Sequence, residues 1–484
     1  MYLGIDLGTS GVKVCLMRPD GTVSETATAP LATSHPFDGA SEQDCLSWWD
    51  ACCTVVQSLP SALRHEVRAI GLSGQMHGAV VLDGQGQPVR PVMLWNDARA
   101  TKESADMIAA EPEAGEIAGI APMAGFTAPK LLWLARHEPK AHARIAHILL
   151  PKDYLGLRLH GGYVTDPTDA AGTSWLDQRT RQWSEKICAV SATDPAWLPE
   201  IAYGTEVAGE LRTDAALALG LPAGIPVAVG GGDIAAGAVG IGAIGAGDGF
   251  ISLGTSGQLF VTTPDYRPNT DNLIHAYAHT VPGLWFQMAA MLNGARPMAW
   301  LANLLGRPIA DLLAEAEVAE AGPIFLPYLT GERTPHGDST IRAGFSGLGE
   351  TTTPGGLMRA VVEAIAFTLA DASDALRRGG TEPGTLLAIG GGTKSDFLMQ
   401  TIATVMDCRI GRSGAAGVGP ALGAARLACV AESGRAMRDV MTKPEVARWF
   451  EPQSADKDQL QARLTGFRAL YPALRGVQAA GRST

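Results

Sequence analysis

Ile5-Asp6-Leu7-Gly8-Thr9-Ser10-Gly11 returns about half the chain later as Ile251-Ser252-Leu253-Gly254-Thr255-Ser256-Gly257, with six of seven positions identical. Each copy closes one apolar run and opens another that keeps strand periodicity: Val12-Lys13-Val14-Cys15-Leu16 in the first, Gln258-Leu259-Phe260-Val261 in the second. Both copies therefore predict β-hairpin turns. A Pro-Asp-Gly turn at Pro19 to Gly21 and a Pro-Asp pair at Pro264-Asp265 then lead each hairpin into its next element. A P-loop needs Gly, four residues and Gly-Lys-Ser/Thr opening a helix, and a dinucleotide fingerprint also runs into a helix. Neither context is present, because both copies run into strands.

A hairpin turn that offers Gly, Thr and Ser donors at one point is the phosphate clasp of actin-like ATPases, in which two similar lobes contribute one each. The expected fold is α/β, with two actin-like (ribonuclease H-like) lobes and the active site in the cleft between them. Val67 to Leu72 reads as a strand ending at Ser73-Gly74-Gln75-Met76-His77-Gly78, and Ile225 to Val229 as one ending at Gly230-Gly231-Gly232-Asp233. Leu386 to Ile389 ends at Gly390-Gly391-Gly392, after which Phe397, Ile402, Ala403 and Val405 fall at helical spacing. Long helices are expected at Leu357 to Leu376 and Pro420 to Glu432, and a buried helix from Ile234 to Gly247. The lobe boundary is placed near residue 245, giving spans 1–245 and 246–484.

At 484 residues, the chain is too long for one ordinary core, and its 46% hydrophobic and 18% charged residues suit substantial buried interiors. A net charge of −11 without long basic runs argues against nucleic acid as a partner. An anionic nucleotide must then be held by local N–H groups, helix N-termini and a divalent cation, which implies Mg²⁺ beside ATP. The seven cysteines show no ligand spacing and their odd number speaks against a disulfide framework, so a reduced cytoplasm is expected. The most apolar stretch, Ile234 to Gly247, is too short to span a bilayer, and no signal-like segment precedes Asp6, so no membrane association is expected.

Gly125-Phe126-Thr127-Ala128-Pro129-Lys130-Leu131-Leu132-Trp133-Leu134 resembles the first signature of the FGGY carbohydrate kinases. Gly344-Phe345-Ser346-Gly347-Leu348 through Ala360-Val361-Val362-Glu363 resembles the second, apart from Gly356, where that pattern has a polar or acidic residue. The resemblance runs over nearly the whole chain. It includes Leu94 to Asp97, Leu150 to Tyr154, Asp169 to Thr173, Gly331 to His336 and Gly419 to Ala425, besides Ser73 to Gly78. It implies two lobes that close on ATP and a sugar, with transfer of the terminal phosphate to a ketose or polyol, D-xylulose foremost, and a homodimer as the assembly. Other ketoses and polyols, a silent sugar- or nucleotide-binding regulator, and an actin-like ATPase are the competing functions. The retained Asp6 and Asp233 argue against silence, and the sugar-site segments against the ATPase.

Spacing alone allows Asp233 to be an N-cap or a ligand-facing carboxylate beyond a glycine triplet; the resemblance makes it the general base. Asp6 at the end of the first strand is either a turn-forming residue or a Mg²⁺ ligand. The second hairpin carries Ser252 at that position, so the turn does not demand a carboxylate. Thr9 and Ser10, with Gly254 and Thr255, are expected to face the phosphates, and Gly391, Gly392 and Ser395 to form the nucleotide turn, with a helix from near Thr393 aimed at the α- and β-phosphates. The resemblance implies that His77 and Asp97 hydrogen-bond sugar hydroxyls, that Asn96 lies in the same segment, and that Met76 and Trp95 form the apolar wall. Ile234 departs from the resemblance, which leads one to expect Asn after the base; it either faces the sugar or enters the core.

Overall fold

The computed structural model describes residues 1–414 and 419–482, so positions 415–418 and 483–484 of the expected second span lie outside the described residues. Two seven-stranded sheets form, each built around one of the repeated hairpins. In the first, Tyr2–Leu7 pairs antiparallel with Gly11–Met17 and parallel with Ala69–Gly74; Val23–Pro30 lies beyond the hairpin, Pro226–Ala228 and Val207–Glu210 extend the other side, and the short Gly231–Gly232, off this order, also pairs parallel with Ala69–Gly74. In the second, Gly249–Leu253 pairs antiparallel with Gly257–Thr263 and parallel with Leu386–Ile389. Trp285–Met291 and Ile274–Ala278 extend its hairpin side, and Ile410–Ser413 and Val446–Phe450 its parallel side. The strand order repeats from one sheet to the other, with Ile274–Ala278 as the second sheet's extra edge strand.

The first strand is buried on both faces, which accounts for its nearly continuous apolar sequence. Leu3, Ile5 and Leu7 point into a core containing Trp48, Val55 and Val56. On the opposite face, Tyr2 packs with Ala421, Ala425 and Ala428 of the helix Gly419–Ser433. That helix lies almost backbone to backbone on the sheet: a Cβ on Gly4 would stand 1.9 Å from the Ala421 carbonyl oxygen, and one on Gly71 1.9 Å from that of Ala424. Gly4 and Gly71 are register partners, so together they form the flat floor that the helix occupies. The same helix crosses Asp233–Gly240, where a Cβ on Gly423 would meet the Ala236 oxygen at 1.8 Å. A division of the chain at 245 is therefore not a division in space, since a helix of the second span covers the first sheet.

One helix expectation is corrected, and another is borne out with a longer span. The helix opened by Asp233 ends at Gly240 instead of continuing to Gly247, because Gly242, at φ +68, is wedged against the Thr442–Lys443 backbone in the left-handed region. The long helix of the second half spans Pro354–Arg378; Thr353 caps it by accepting from Gly356 N, which places the one departing signature position inside the first turn. The other crossing helix, Gly419–Ser433, matches expectation within a residue at each end. All seven cysteines are free, and among the described residues no helix is long and apolar enough to cross a membrane.

Candidate active site

Three glycines after the strand Pro226–Ala228 let the chain pass under the neighbouring strand: Gly230 has φ +86, and a Cβ there would lie 2.0 Å from the Leu72 oxygen. The helix that follows is capped at Gly232, and Asp233 is its first residue, so Asp233 is not the N-cap. One carboxylate oxygen, Oδ1, accepts from Ile234 N at 2.7 Å; the other makes no hydrogen bond among the described residues. Burial, and then the negative charge of Asp6, push the Asp233 carboxyl up to about 7. Burial likewise raises Asp6 to about 6, against the pull of Ser73 and Lys13, and its Oδ1 is buried with no hydrogen-bond partner. Two mutually repelling carboxylates, one with an orphaned buried oxygen, form a donor set that fits a divalent cation.

Beneath this floor lies a charge network that the sequence did not announce as structural. Lys152 Nζ, fully buried, pairs with Asp153, with Asp166 at 3.0 Å and with Asp169 at 3.7 Å. Thr168, one residue before Asp169, accepts from Gly232 N at 2.9 Å. The segments Leu150 to Tyr154 and Asp169 to Thr173 therefore shape the pocket from below, holding the backbone that presents Asp233.

Above Asp233 opens a cavity of about 230 Å³ whose walls come from both sheets. Met76, His77, Trp95, Asp233 and Ile234 line it from the first half, and Ile234, half-buried, also packs against the apolar cluster behind the cavity. His77 sits at φ +72, stacked on Phe126 with ring centroids 4.4 Å apart, and its Nδ1 donates to the Gly172 carbonyl at 2.5 Å. That bond fixes the tautomer, and burial pushes the imidazole down to about 3, so Nε2 is left as a neutral acceptor.

Asp97 requires correction. Its carboxylate is fully buried, accepts from Ser41 N at 2.8 Å and from Arg99 N at 3.1 Å, and pairs with the Arg99 guanidinium through bonds of 2.8 and 2.7 Å, so all four acceptor sites are taken and none turns toward a sugar. Asn96 is exposed and is not among the residues lining the cavity. Thr9 is corrected as well. Its hydroxyl donates to Gln75 Oε1 at 2.8 Å and accepts from Trp95 Nε1 at 2.9 Å, and its carbonyl accepts from Gln43 Nε2 at 2.7 Å. Thr9 therefore ties the first hairpin to the cavity wall, and Trp95 is a polar tie as well as an apolar surface.

Ser10 is exposed at the tip of the first hairpin, and its hydroxyl makes no hydrogen bond among the described residues. Gly254 and Thr255 are exposed at the tip of the second, which is held from behind by Gly294 N on Thr255 O at 3.0 Å and Ala295 N on Gly254 O at 2.7 Å. The turn Gly390 to Gly392 abuts this hairpin: a Cβ on Gly392 would lie 3.0 Å from Leu253 Cβ, whereas one on Gly391 would meet nothing. Gly391 thus leaves open space beside the second hairpin. The α-helix beyond starts at Asp396 and not near Thr393, because Gly391–Lys394 forms a 3₁₀ turn first. Ser395 is its N-cap, accepting from Leu398 N at 3.2 Å, so it organises the helix end.

Sequence reasoning missed the second sheet's share of the cavity: Gln258, His275, Tyr277, Phe286, Met288 and Arg333 all line it. Register explains the arrangement, since His275 pairs with Met288 and Tyr277 with Phe286, and alternate residues of paired strands share a face. The alternation in Ile274-His275-Ala276-Tyr277-Ala278 was the available signal.

Comparison with known proteins agrees with this geometry. The N-terminal domain of the FGGY family of carbohydrate kinases matches residues 1–240, and its C-terminal domain residues 249–432. The chain is 40% identical to a xylulose kinase of Escherichia coli (strain K12), over 98% of this chain and 99% of the relative. It is 41% identical to a xylulose kinase of Klebsiella pneumoniae over 92% of each. Among solved structures, a protein described as a xyloylose kinase from Brucella ovis superposes with a TM-score of 0.95 at 41% identity, covering 98% of this chain and 99% of that one. The xylulose kinase of Rhodospirillum rubrum gives 0.91 at 28% identity, covering 99% of each. With repeated hairpin sheets, an interlobe cavity and a carboxylate at its floor, this chain belongs to the FGGY family of carbohydrate kinases and is a sugar kinase that uses ATP.

Proposed function

We propose that the chain phosphorylates D-xylulose to D-xylulose 5-phosphate, with Asp233 as general base. The observation that carries this reading is the free carboxylate oxygen of Asp233, facing a two-walled cavity, together with the chain's full-length similarity to proteins named xylulose kinases. A pentulose hydroxyl at Asp233 delivers its proton to that oxygen as the phosphoryl group arrives. Because phosphoryl transfer is loose and the proton leaves late, holding the hydroxyl in line matters more than basicity. His77 Nε2 accepts from a second hydroxyl. Ser10 and Thr255, at the two hairpin tips, supply hydroxyl and N–H donors to the phosphates, and Gly391 lets the nucleotide approach the backbone closely.

Asp6 is the residue that fits Mg²⁺. Its orphaned Oδ1 and raised carboxyl are the condition a cation relieves, and the metal would supply charge neutralisation at the phosphates. Residues 1–245 and 246–484 supply the two lobes, apart from the helix Gly419–Ser433, which packs on the first sheet, and closure of the lobes over the sugar excludes water that would otherwise take the phosphate. Seven free cysteines suit a reducing cytoplasm. The test is ADP release with Mg-ATP across a panel of pentuloses, hexuloses and polyols. D-xylulose should give the highest kcat/KM; stimulation by no sugar would overturn the reading.

A further inference from the structure

The cavity contains one cationic side chain, and neither the reaction at Asp233 nor the phosphate hairpins account for it. Arg333 lines the wall opposite the first sheet, on the segment between Gly331 and His336. Its backbone is clamped on both sides. The Glu332 carboxylate accepts from Leu292 N at 2.6 Å and from Arg333 N at 2.7 Å, Thr334 N donates to Ala290 O at 3.1 Å, and the Thr334 hydroxyl donates to Leu273 O at 3.0 Å. The other Glu332 oxygen accepts from Asn293 Nδ2 at 3.2 Å, so Glu332, the neighbouring carboxylate, is hydrogen-bonded to Leu292, Asn293 and the Arg333 backbone and not to the guanidinium, on which its charge still bears. Among the described residues, the Arg333 guanidinium makes neither an ion pair nor a hydrogen bond. Tyr277, on the same wall, has a buried hydroxyl that also lacks a partner.

A guanidinium held in a largely apolar pocket with no carboxylate hydrogen-bonded to it is costly unless something that enters the pocket completes it. Asp233 lines the cavity from the first half of the chain, whereas Arg333 and Tyr277 line it from the second. Arg333 and Tyr277 thus belong to the wall across the cavity from the base. A five-carbon acceptor whose terminal hydroxyl meets Asp233 lays its opposite end there. In a 2-ketose, that end carries the C2 carbonyl and the C1 hydroxyl, two oxygens spaced for the planar fork of a guanidinium.

We infer that Arg333 is a specificity-determining residue that reads the C1–C2 end of the acceptor, and that the same contact makes the pocket a site for the matching sugar acid, an aldonate with its carboxylate at C1. The inference rests on the reading that Asp233 faces the phosphorylated hydroxyl. A carboxylate pairs with the fork through two charge-assisted bonds, whereas a ketose offers only neutral oxygens. Polyols, which lack a planar carbonyl at that end, gain least from Arg333.

The probes are D-xylonate as a competitor and D-xylulose as acceptor, with binding measured calorimetrically and inhibition measured in the coupled ADP assay. In the wild type, D-xylonate should compete with the acceptor. Arg333→Met should weaken D-xylonate by about 10- to 100-fold and D-xylulose by only about threefold to tenfold, because bonds to charged partners are worth more than neutral ones. Arg333→Lys keeps the charge but loses the fork, and should still weaken D-xylonate at least threefold more than D-xylulose; it provides the test if the Met variant does not fold. No competition by D-xylonate, or equal weakening of both ligands in a folded variant, would overturn the inference. If D-xylulose is not the acceptor, the same ratio is taken against the best acceptor of the panel, so failure of the substrate assignment and failure of the Arg333 inference give different results.

Discussion

Replacing Asp233 by Asn should abolish phosphorylation and stabilise the ligand-free protein. Its carboxyl is raised from 3.8 to about 7, a difference worth ~4 kcal/mol as an upper bound. An acid whose pKa rises on folding holds its proton more tightly in the folded state than in the unfolded chain. Stability attached to that proton is full below about pH 4 and is withdrawn as pH climbs to about 7. The carboxylate opens onto a wet cavity, and screening reduces the recoverable part to ~2 kcal/mol. Asn keeps an oxygen for Ile234 N and carries no charge to repel Asp6, so the variant should unfold about 2 °C higher at pH 8, given the unfolding entropy of a chain this long. Near pH 4 the two proteins should melt together. Losing one positioned base lowers turnover by ~10²–10⁴. The assay is thermal unfolding of both proteins from pH 4 to 8 without ligands, alongside turnover. A variant less stable than wild type at pH 8, or a difference independent of pH, would refute the reasoning.

Thr9→Val removes the tie between the first hairpin and Trp95, so two hydrogen bonds are lost, and kcat/KM for the sugar should fall about tenfold while sugar-independent ATP hydrolysis rises; steady-state kinetics with and without sugar decide it. Ile234→Asn adds a polar group to a position that lines the cavity, and kcat/KM for D-xylulose should rise about threefold to tenfold relative to the best alternative acceptor. An unchanged ratio in a stable variant would reject a role for Ile234 in acceptor choice. Gly423→Ala forces a Cβ onto the Ala236 carbonyl oxygen where the two crossing helices meet, and should cost about 1–3 kcal/mol in urea unfolding.

What could be read in the sequence follows from how local each signal is. The two hairpins were legible because a seven-residue repeat between strand-like runs carries its own geometry, and the antiparallel register of both copies bears it out. The glycine triplet before Asp233 was legible for the same reason. Thr9 and Asp97 were misassigned because a hydroxyl beside a glycine, or an Asp after Trp-Asn, looks the same whether its partner is a ligand or Gln75 and Arg99, and only the fold supplies those partners. Arg333 escaped because it enters the cavity from a loop far along the chain, and the alternation around His275 marks a strand face without saying whether that face meets a cavity or a core. The Gly4 and Gly71 pair stood in plain view, but its meaning depends on a helix more than 300 residues away.

The most direct measurement is the structure of the product formed from Mg-ATP and D-xylulose, read by phosphorus–proton correlation NMR. The account predicts a single phosphate ester coupled to the C5 protons, formed by the wild type and absent with Asp233→Asn. ADP formed without any sugar phosphate, an ester at C1, or the same product from the Asn variant at near wild-type rate would contradict it.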